Sequence, residues 1–252
     1  MKILVFGDIH GRLEWYHIVQ QEKPDLTIFL GDYVGSHENI LADQECANLE
    51  DIMNFKQEYP DNVILLRGNH DLQHLGYYWA ECSGLRLEVE KWMSSSEIKS
   101  KFLELSQWVY IHNDLIFSHA GIGKPWFNKL NLGEPTKENI LKINELEPSE
   151  LFGFTPNRYS DWSGTSPTQP LTWIRPHALL ENAINGWNQV VGHTKLKTPG
   201  NIINNPDIQE FIKNNDIKIN ECWFIDAMPN QYMIIDDDIR EMRTNSLIYN
   251  EN

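Results

Sequence analysis

The stretch Lys2-Ile3-Leu4-Val5-Phe6-Gly7-Asp8-Ile9-His10-Gly11-Arg12 runs from an unbroken apolar segment straight into a glycine, a carboxylate and an imidazole. A short apolar run closed by glycine reads as a strand buried on both faces. The same grammar returns four times further along. Residues 26–30 are followed by Gly31-Asp32, residues 63–66 by Arg67-Gly68-Asn69-His70, residues 115–117 by Ser118-His119, and Val190-Val191 by Gly192-His193. Residues 14–22 and 41–59 place apolar side chains at helical spacing between the first runs. Strands alternating with helices predict a layered α/β fold. In such folds ligands gather beyond the carboxyl ends of the strands, so several strands here bring polar residues to one rim. Residues 223–225 and 232–235 read as a closing pair of strands, and the polar residues after Asp238 as peripheral.

The strand-end residues share a chemistry. Asp8, His10, Asp32, Asn69, His119 and His193 offer carboxylate, imidazole and amide oxygen, with no thiolate among them. Such donors suit Mn²⁺, Fe, Zn²⁺ or Mg²⁺ rather than soft metals. Two carboxylates, one amide and three histidines exceed what one ion with an open position needs. They are about right for two divalent ions that share a bridging carboxylate.

Composition narrows the class. The chain has 252 residues, 41% hydrophobic and 23% charged, which is an ordinary globular balance for one domain over 1–252. Residues 124–175 are rich in Pro, Gly, Trp and Phe and read as an irregular, aromatic-rich insertion within it. A formal charge of −15 repels nucleic acid and anionic membrane alike. No apolar run is long enough to span a bilayer, and the N-terminus lacks the long apolar region of a signal peptide. Cys46, Cys82 and Cys222 fit neither a zinc ribbon nor a disulfide framework, so the expected location is a reducing cytoplasm.

The ordered series GDIHG, GD, RGNHD, SHAG and VGHT, from residue 3 to about residue 195, resembles the calcineurin-like metallophosphoesterase superfamily. The RGNH and single-His GHT forms place the resemblance nearest the phosphoprotein-phosphatase branch, which includes lambda-type phage phosphatases and bacterial symmetrical diadenosine-tetraphosphate hydrolases. The resemblance implies a four-layer α/β/β/α sandwich with two mixed sheets and the metals between them. It implies that Asp8 and His10 bind one metal, that Asp32 bridges, and that Asn69, His119 and His193 bind the other. Mn²⁺ is the first expectation, with Fe, Zn²⁺, Ni²⁺ or Mg²⁺ as alternatives. His70 is then the acid that protonates the leaving alkoxide, after in-line attack on phosphorus by a hydroxide shared between the ions.

The chain departs from that pattern at one place. Where the branch continues as GDxVDRG, this sequence reads Gly31-Asp32-Tyr33-Val34-Gly35-Ser36-His37. Gly35 replaces the Asp that orients the catalytic histidine, and Ser36 the Arg that grips phosphate. Arg175, in Trp173-Ile174-Arg175, resembles the W-x-R segment in which Arg contacts phosphate, and it is the expected substitute. Arg12, His37 and Asn69 are further candidates for phosphate contact. Arg67 is expected to be a structural ion-pair partner.

The expected substrate is a phosphate monoester: phosphoprotein, nucleotide or small molecule. Hydrolysis of diadenosine polyphosphates or other nucleotides is one alternative, and a non-catalytic metal-binding scaffold is another. Tyr77, Tyr78, Trp79, Trp126, Phe127, Trp162 and Trp173 could form a platform for a base or peptide, but aromatics more often fill cores. The run Asp236-Asp237-Asp238 reads as a solvated turn, and His17, His74, His112 and His177 have no motif around them.

Overall fold

The computed structural model describes residues 1–155, 165–195, 200–201, 222–226, 231–237 and 239–244. The chain begins with β1 (Lys2–Phe6), α1 (Glu14–Glu22), β2 (Leu26–Phe29), α2 (Ala42–Glu58) and β3 (Val63–Leu66). It continues with α3 (Asn69–His74), α4 (Leu87–Met93), α5 (Ser96–Leu105), β4 (Ser106–Gln107), β5 (Val109–His112) and β6 (Leu115–Ser118). Then come α6 (Lys124–Lys129), α7 (Lys137–Leu141), α8 (Pro176–Asn182), β7 (Asn188–Val191), β8 (Gly200–Asn201), β9 (Cys222–Phe224), β10 (Gln231–Asp236) and β11 (Ile239–Thr244).

Two mixed sheets result. One has the order β11-β10-β1-β2-β3-β4 and the other β5-β6-β7-β9-β8. The pairs β1–β2, β2–β3, β6–β7 and β7–β9 are parallel. Their carboxyl ends therefore face one way within each sheet, and this gathers the polar residues.

Strand alternation explains the layers. Ile3 and Val5 of β1 join Ile28, Leu66, Phe117 and Val190 in a core between the sheets. Leu4 and Phe6 point the other way and pack with Ile18 of α1 and with Leu49, Ile52 and Met53 of α2. On the outer side of the second sheet, Leu179 and Leu180 of α8 pack against Val191 and Phe224. Helix, sheet, sheet and helix form the four-layer sandwich. Burial on both faces is why the strands read as continuous apolar runs. Helix α1 ends at Lys23, which takes a left-handed φ of 47° while its N–H caps the carbonyl of Val19.

One expectation is corrected. Residues 223–225 and 232–235 do not pair with each other: β9 runs parallel to β7 in one sheet, while β10 runs antiparallel to β1 in the other. The polar residues 239–244 are peripheral as expected, and they add regular structure there as an edge strand, β11, paired with β10 from Gln231↔Thr244 to Asp236↔Ile239. Its charged side chains suit a strand exposed at a sheet edge.

Within 124–175 the described residues form α6, α7 and short 3₁₀ turns at Lys142–Glu145 and Glu150–Phe152. Trp126 and Phe127 are core residues, Tyr78 is exposed, and Trp162 lies outside the described residues. Asp236 and Asp237 are solvent-facing, Asp237 accepting from the N-terminal amine at 3.2 Å, and Asp238 lies outside the described residues. Among the described residues no helix is long and apolar enough to cross a membrane.

Candidate metal centre and its cavity

Asp8 and His10 follow β1, Asp32 follows β2, Asn69 opens α3 after β3, His119 follows β6, and His193 follows β7. All except His119 line one cavity of about 800 Å³, and His119 lies buried directly beneath it against Asp32 and Asn69. Donor atoms of Asp8, His10 and Asp32 lie within 4.8 Å of one another, as do those of Asp32, His119 and His193. Asp32 belongs to both groups.

The backbone is bent to achieve this. His10, Asp32 and His193 have φ of 47°, 50° and 60°, a left-handed region that non-glycine residues rarely occupy. Strain of this kind persists where the surroundings hold it, and it clusters at functional sites. Asp71 does part of the holding. Its carboxylate, fully buried, accepts from the N–H groups of Asp32 at 2.9 Å, Tyr33 at 2.8 Å and Gly68 at 2.8 Å. Asp32 in turn accepts from the N–H of His70 at 2.9 Å, with its Oδ1 where a β-carbon on Gly68 would stand.

The histidine orientations fit metal ligation. Nδ1 of His119 lies 2.9 Å from the Leu30 carbonyl and Nδ1 of His10 lies 2.8 Å from the Val34 carbonyl. Each Nδ1 therefore carries the proton, which directs the Nε2 lone pair toward the carboxylates. Ligating imidazoles are typically fixed this way. Nε2 of His119 sits 3.0 Å from Asn69 Oδ1 and 3.4 Å from Asp32 Oδ2. Nε2 of His193 is buried with no hydrogen-bond partner among the described residues, which an ion would satisfy.

Electrostatics point the same way. Burial alone pushes the Asp32 carboxyl up, but His119, His70 and His10 outweigh it and hold the group well below the usual range. Burial and the neighbouring Asp226 and Asp32 drive Asp8 well up. Burial works against a charged His119, yet Asp32 and Asp8 raise it to about 9. Asp32 and Asp8 thus favour a positive charge at His119 Nε2, a proton that a cation held there would displace.

The remaining candidates divide. His70 lines the cavity, its Nδ1 buried without a hydrogen-bond partner among the described residues, and burial lowers it to about 4. A β-carbon on Gly35 would meet that Nδ1 at 2.5 Å, so the missing Asp leaves no hollow. Arg175 also lines the cavity, with Nη1 anchored to the His193 carbonyl at 3.3 Å and Thr194 Oγ1 at 3.1 Å. Arg12 is at the rim but held by Glu38 at 2.7 Å, with Nη1 on the Asp8 carbonyl. His37 is exposed at the rim, with its ring 5.8 Å from His70. Among the described residues Arg67 does not make the expected ion pair. It donates to Ser106 Oγ at 2.9 Å and the carbonyls of Leu103 at 2.7 Å and Ser106 at 2.6 Å, and lies over the Trp108 ring.

Two buried residues at the site went unassigned in the sequence. Asp226 lines the cavity and is raised to about 6 by burial. It follows Trp223-Phe224-Ile225, so the apolar-run-then-carboxylate grammar marks it too. His74 lies behind His70, where no local signal announces it.

Comparison with known proteins agrees with this architecture. The family model described as calcineurin-like phosphoesterase matches residues 1–220. The serine/threonine-protein phosphatase BSL2 of Arabidopsis thaliana is 26% identical over 237 residues, covering 86% of this chain and 20% of the relative. The serine/threonine-protein phosphatase PP1-delta of Caenorhabditis elegans is 30% identical over 131 residues, covering 48% of this chain and 39% of the relative. The chain thus spans well under half the length of these relatives. Among solved structures, the cold-active protein-tyrosine phosphatase of a psychrophilic Shewanella superposes with a TM-score of 0.58 at 16% identity, covering 96% of this chain and 80% of that one. A protein serine/threonine phosphatase from Saccharomyces cerevisiae superposes with a TM-score of 0.55 at 18% identity, covering 97% and 80%. These superpositions establish the fold. With the matched family model spanning most of its length, this chain belongs to the calcineurin-like phosphoesterase family.

Proposed function

We propose that this protein is a phosphatase that hydrolyses phosphate monoesters with two divalent ions. The observation that carries the reading is the pair of donor groups meeting at Asp32. Asp8, His10 and Asp32 would hold one ion, and Asp32, Asn69, His119 and His193 the other. When bound, divalent ions supply Lewis acidity and lower the pKa of water to furnish the nucleophile. Mn²⁺ is the first ion to test, then Fe, Zn²⁺, Ni²⁺ and Mg²⁺.

The chain's own residues do the rest. Arg175, anchored through Nη1, turns the remainder of its guanidinium to a phosphoryl oxygen. Asn69 and His37 are secondary contacts. Arg12 contributes less than Arg175, because Glu38 already occupies its donors. His70 has Nδ1 closed off by Gly35, so Nε2 delivers the proton to the leaving oxygen. Burial holds His70 low, and a phosphate dianion beside it favours the charged form that donates.

The serine/threonine phosphatases it resembles make a phosphorylated polypeptide the first substrate to try. A nucleobase finds less support. Trp173 is only 9% exposed and stands edge-on to Phe154 and His193, so it presents little free ring face. We keep the reading of 1–252 as one domain with an insertion at about 124–175, working in the cytoplasm. Hydrolysis of p-nitrophenyl phosphate, bis-p-nitrophenyl phosphate and a dinucleotide panel with Mn²⁺ tests the proposal. The monoester should lead. Preference for a dinucleotide would move the assignment to nucleotide hydrolysis. Metal uptake without turnover of any substrate would leave a metal-binding scaffold.

A further inference from the structure

A polar frame, buried at Glu45 and His74 and half-buried at Arg86, supports His70 on the side away from the cavity. The Glu45 carboxylate, on α2, is fully buried. It accepts from Gly35 N–H at 2.8 Å and Ser36 N–H at 3.4 Å, in the segment where this chain departs from GDxVDRG. Arg86 pairs with Glu45 and donates to the Ile40 carbonyl at 2.5 Å. The backbone N–H of the same Arg86 donates to Nε2 of His74 at 3.2 Å. Since Nε2 accepts, the His74 proton is on Nδ1, which donates to the His70 carbonyl at 2.7 Å. One residue thus ties both supports of His70. Its side chain fixes the Gly35 backbone that lies on the His70 ring, and its main chain fixes the His70 carbonyl through His74.

Resting on the phosphatase reading above, we propose that Arg86, Glu45 and His74 position His70 in this chain, taking over the orienting task that a carboxylate at position 35 would otherwise perform. The substitution is mechanical. With no acceptor at Nδ1 among the described residues, the ring is set by contact: Gly35 closes its Nδ1 edge, and the rings of His10 and His37 stand edge-on at 5.0 and 5.8 Å. Contact holds a ring only if the backbone pressing on it cannot move. Buried charge-assisted hydrogen bonds accepted by Glu45, with Arg86 as counter-ion, provide that stiffness. None of the three residues lines the cavity, so none touches the substrate.

The test compares leaving groups. As the P–O bond breaks, an alkoxide takes a proton from His70, whereas p-nitrophenolate leaves without one. Arg86→Ala and Arg86→Lys should be assayed as Mn²⁺-loaded protein on an alkyl phosphate and on p-nitrophenyl phosphate, with melting temperature and metal content measured alongside. Misplacing a general acid removes part of its ~10²–10⁴-fold contribution. Arg86→Ala should therefore lose roughly tenfold or more in kcat on the alkyl ester and about threefold or less on the nitrophenyl ester, with KM and metal content unchanged. Arg86→Lys should recover part of the loss. If Arg86→Ala does not fold, Glu45→Gln, which keeps an acceptor for Gly35, should show the same bias in smaller measure. Equal losses on both esters, or no loss on either, would overturn the proposal while leaving the phosphatase reading intact. A wild-type protein that hydrolyses neither ester would overturn both.

Discussion

The N–H of His193 donates to Oδ1 of Asp8 at 2.9 Å, joining residues 185 positions apart in the chain and on different sheets. Gly192 permits it, because a β-carbon there would stand 2.5 Å from the same oxygen. The two sheets are therefore fastened at the rim by a residue from each donor group. His193→Ala keeps the backbone donor and removes only the ring. It should leave the fold intact while lowering both metal content and turnover, which a thermal melt, elemental analysis and the nitrophenyl phosphate assay would together report.

Asp32 belongs to both donor groups, so in the proposed centre its charge should matter more than its shape. Asp32→Asn should reduce turnover by at least ~10²-fold, the scale at which a single electrostatic stabiliser contributes. Full activity in this variant would contradict a shared site.

Position 35 separates packing from chemistry. Gly35 has φ +79°, and a β-carbon would intrude on His70 and His74. Gly35→Ala should cost about 1–2 kcal/mol from the left-handed backbone alone, and should slow alkyl phosphates more than nitrophenyl phosphate. Gly35→Asp, which restores the family residue, should harm rather than help, because the ring already fills the space the carboxylate would need. A gain in activity would show that the ring has room to swing aside.

The strands and their terminal donors were legible because burial on both faces leaves an apolar run with an abrupt polar end. Which strands pair was not. Residues 223–225 and 232–235 have the same pattern, and nothing local distinguishes β9, bound for one sheet, from β10, bound for the other. β11 was hidden because an edge strand carries charge where an inner strand carries leucine. At the site, the frame around His70 was hidden for a related reason. Glu45 and His74 sit within helices and Arg86 just before one, where charged and polar residues are ordinary, and only tertiary contact gives them a task.

Arg67 serves as a control for phosphate contact. It is 7% exposed and bound to carbonyls, a hydroxyl and the Trp108 ring. Arg67→Ala should lower stability by about 2–4 kcal/mol, since hydrogen bonds from a charged group contribute about 1.5–3 kcal/mol, with KM for the folded fraction unchanged. A raised KM at unchanged stability would instead place Arg67 on the substrate.

Stability should also depend on pH through Glu22, far from the cavity. Burial pushes its carboxyl up, but Lys2 at 2.5 Å, Tyr232 at 2.6 Å and Arg243 at 2.9 Å outweigh that and hold it below the ordinary value. A depressed folded pKa gives stability that is fully present above the unfolded value of about 4.3 and lost as pH falls through the folded value. Glu22→Gln should therefore lower the melting temperature at pH 7, and the gap to wild type should close below about pH 4. A constant gap across that range would assign the effect to packing.

The most direct measurement is an anomalous difference map from crystals grown with Mn²⁺. Two peaks should appear, both within bonding distance of Asp32, one also contacting Asp8 and His10 and the other Asn69, His119 and His193. A folded protein with no peak in this cavity, or with peaks that leave Asp32 uncontacted, would contradict the shared centre.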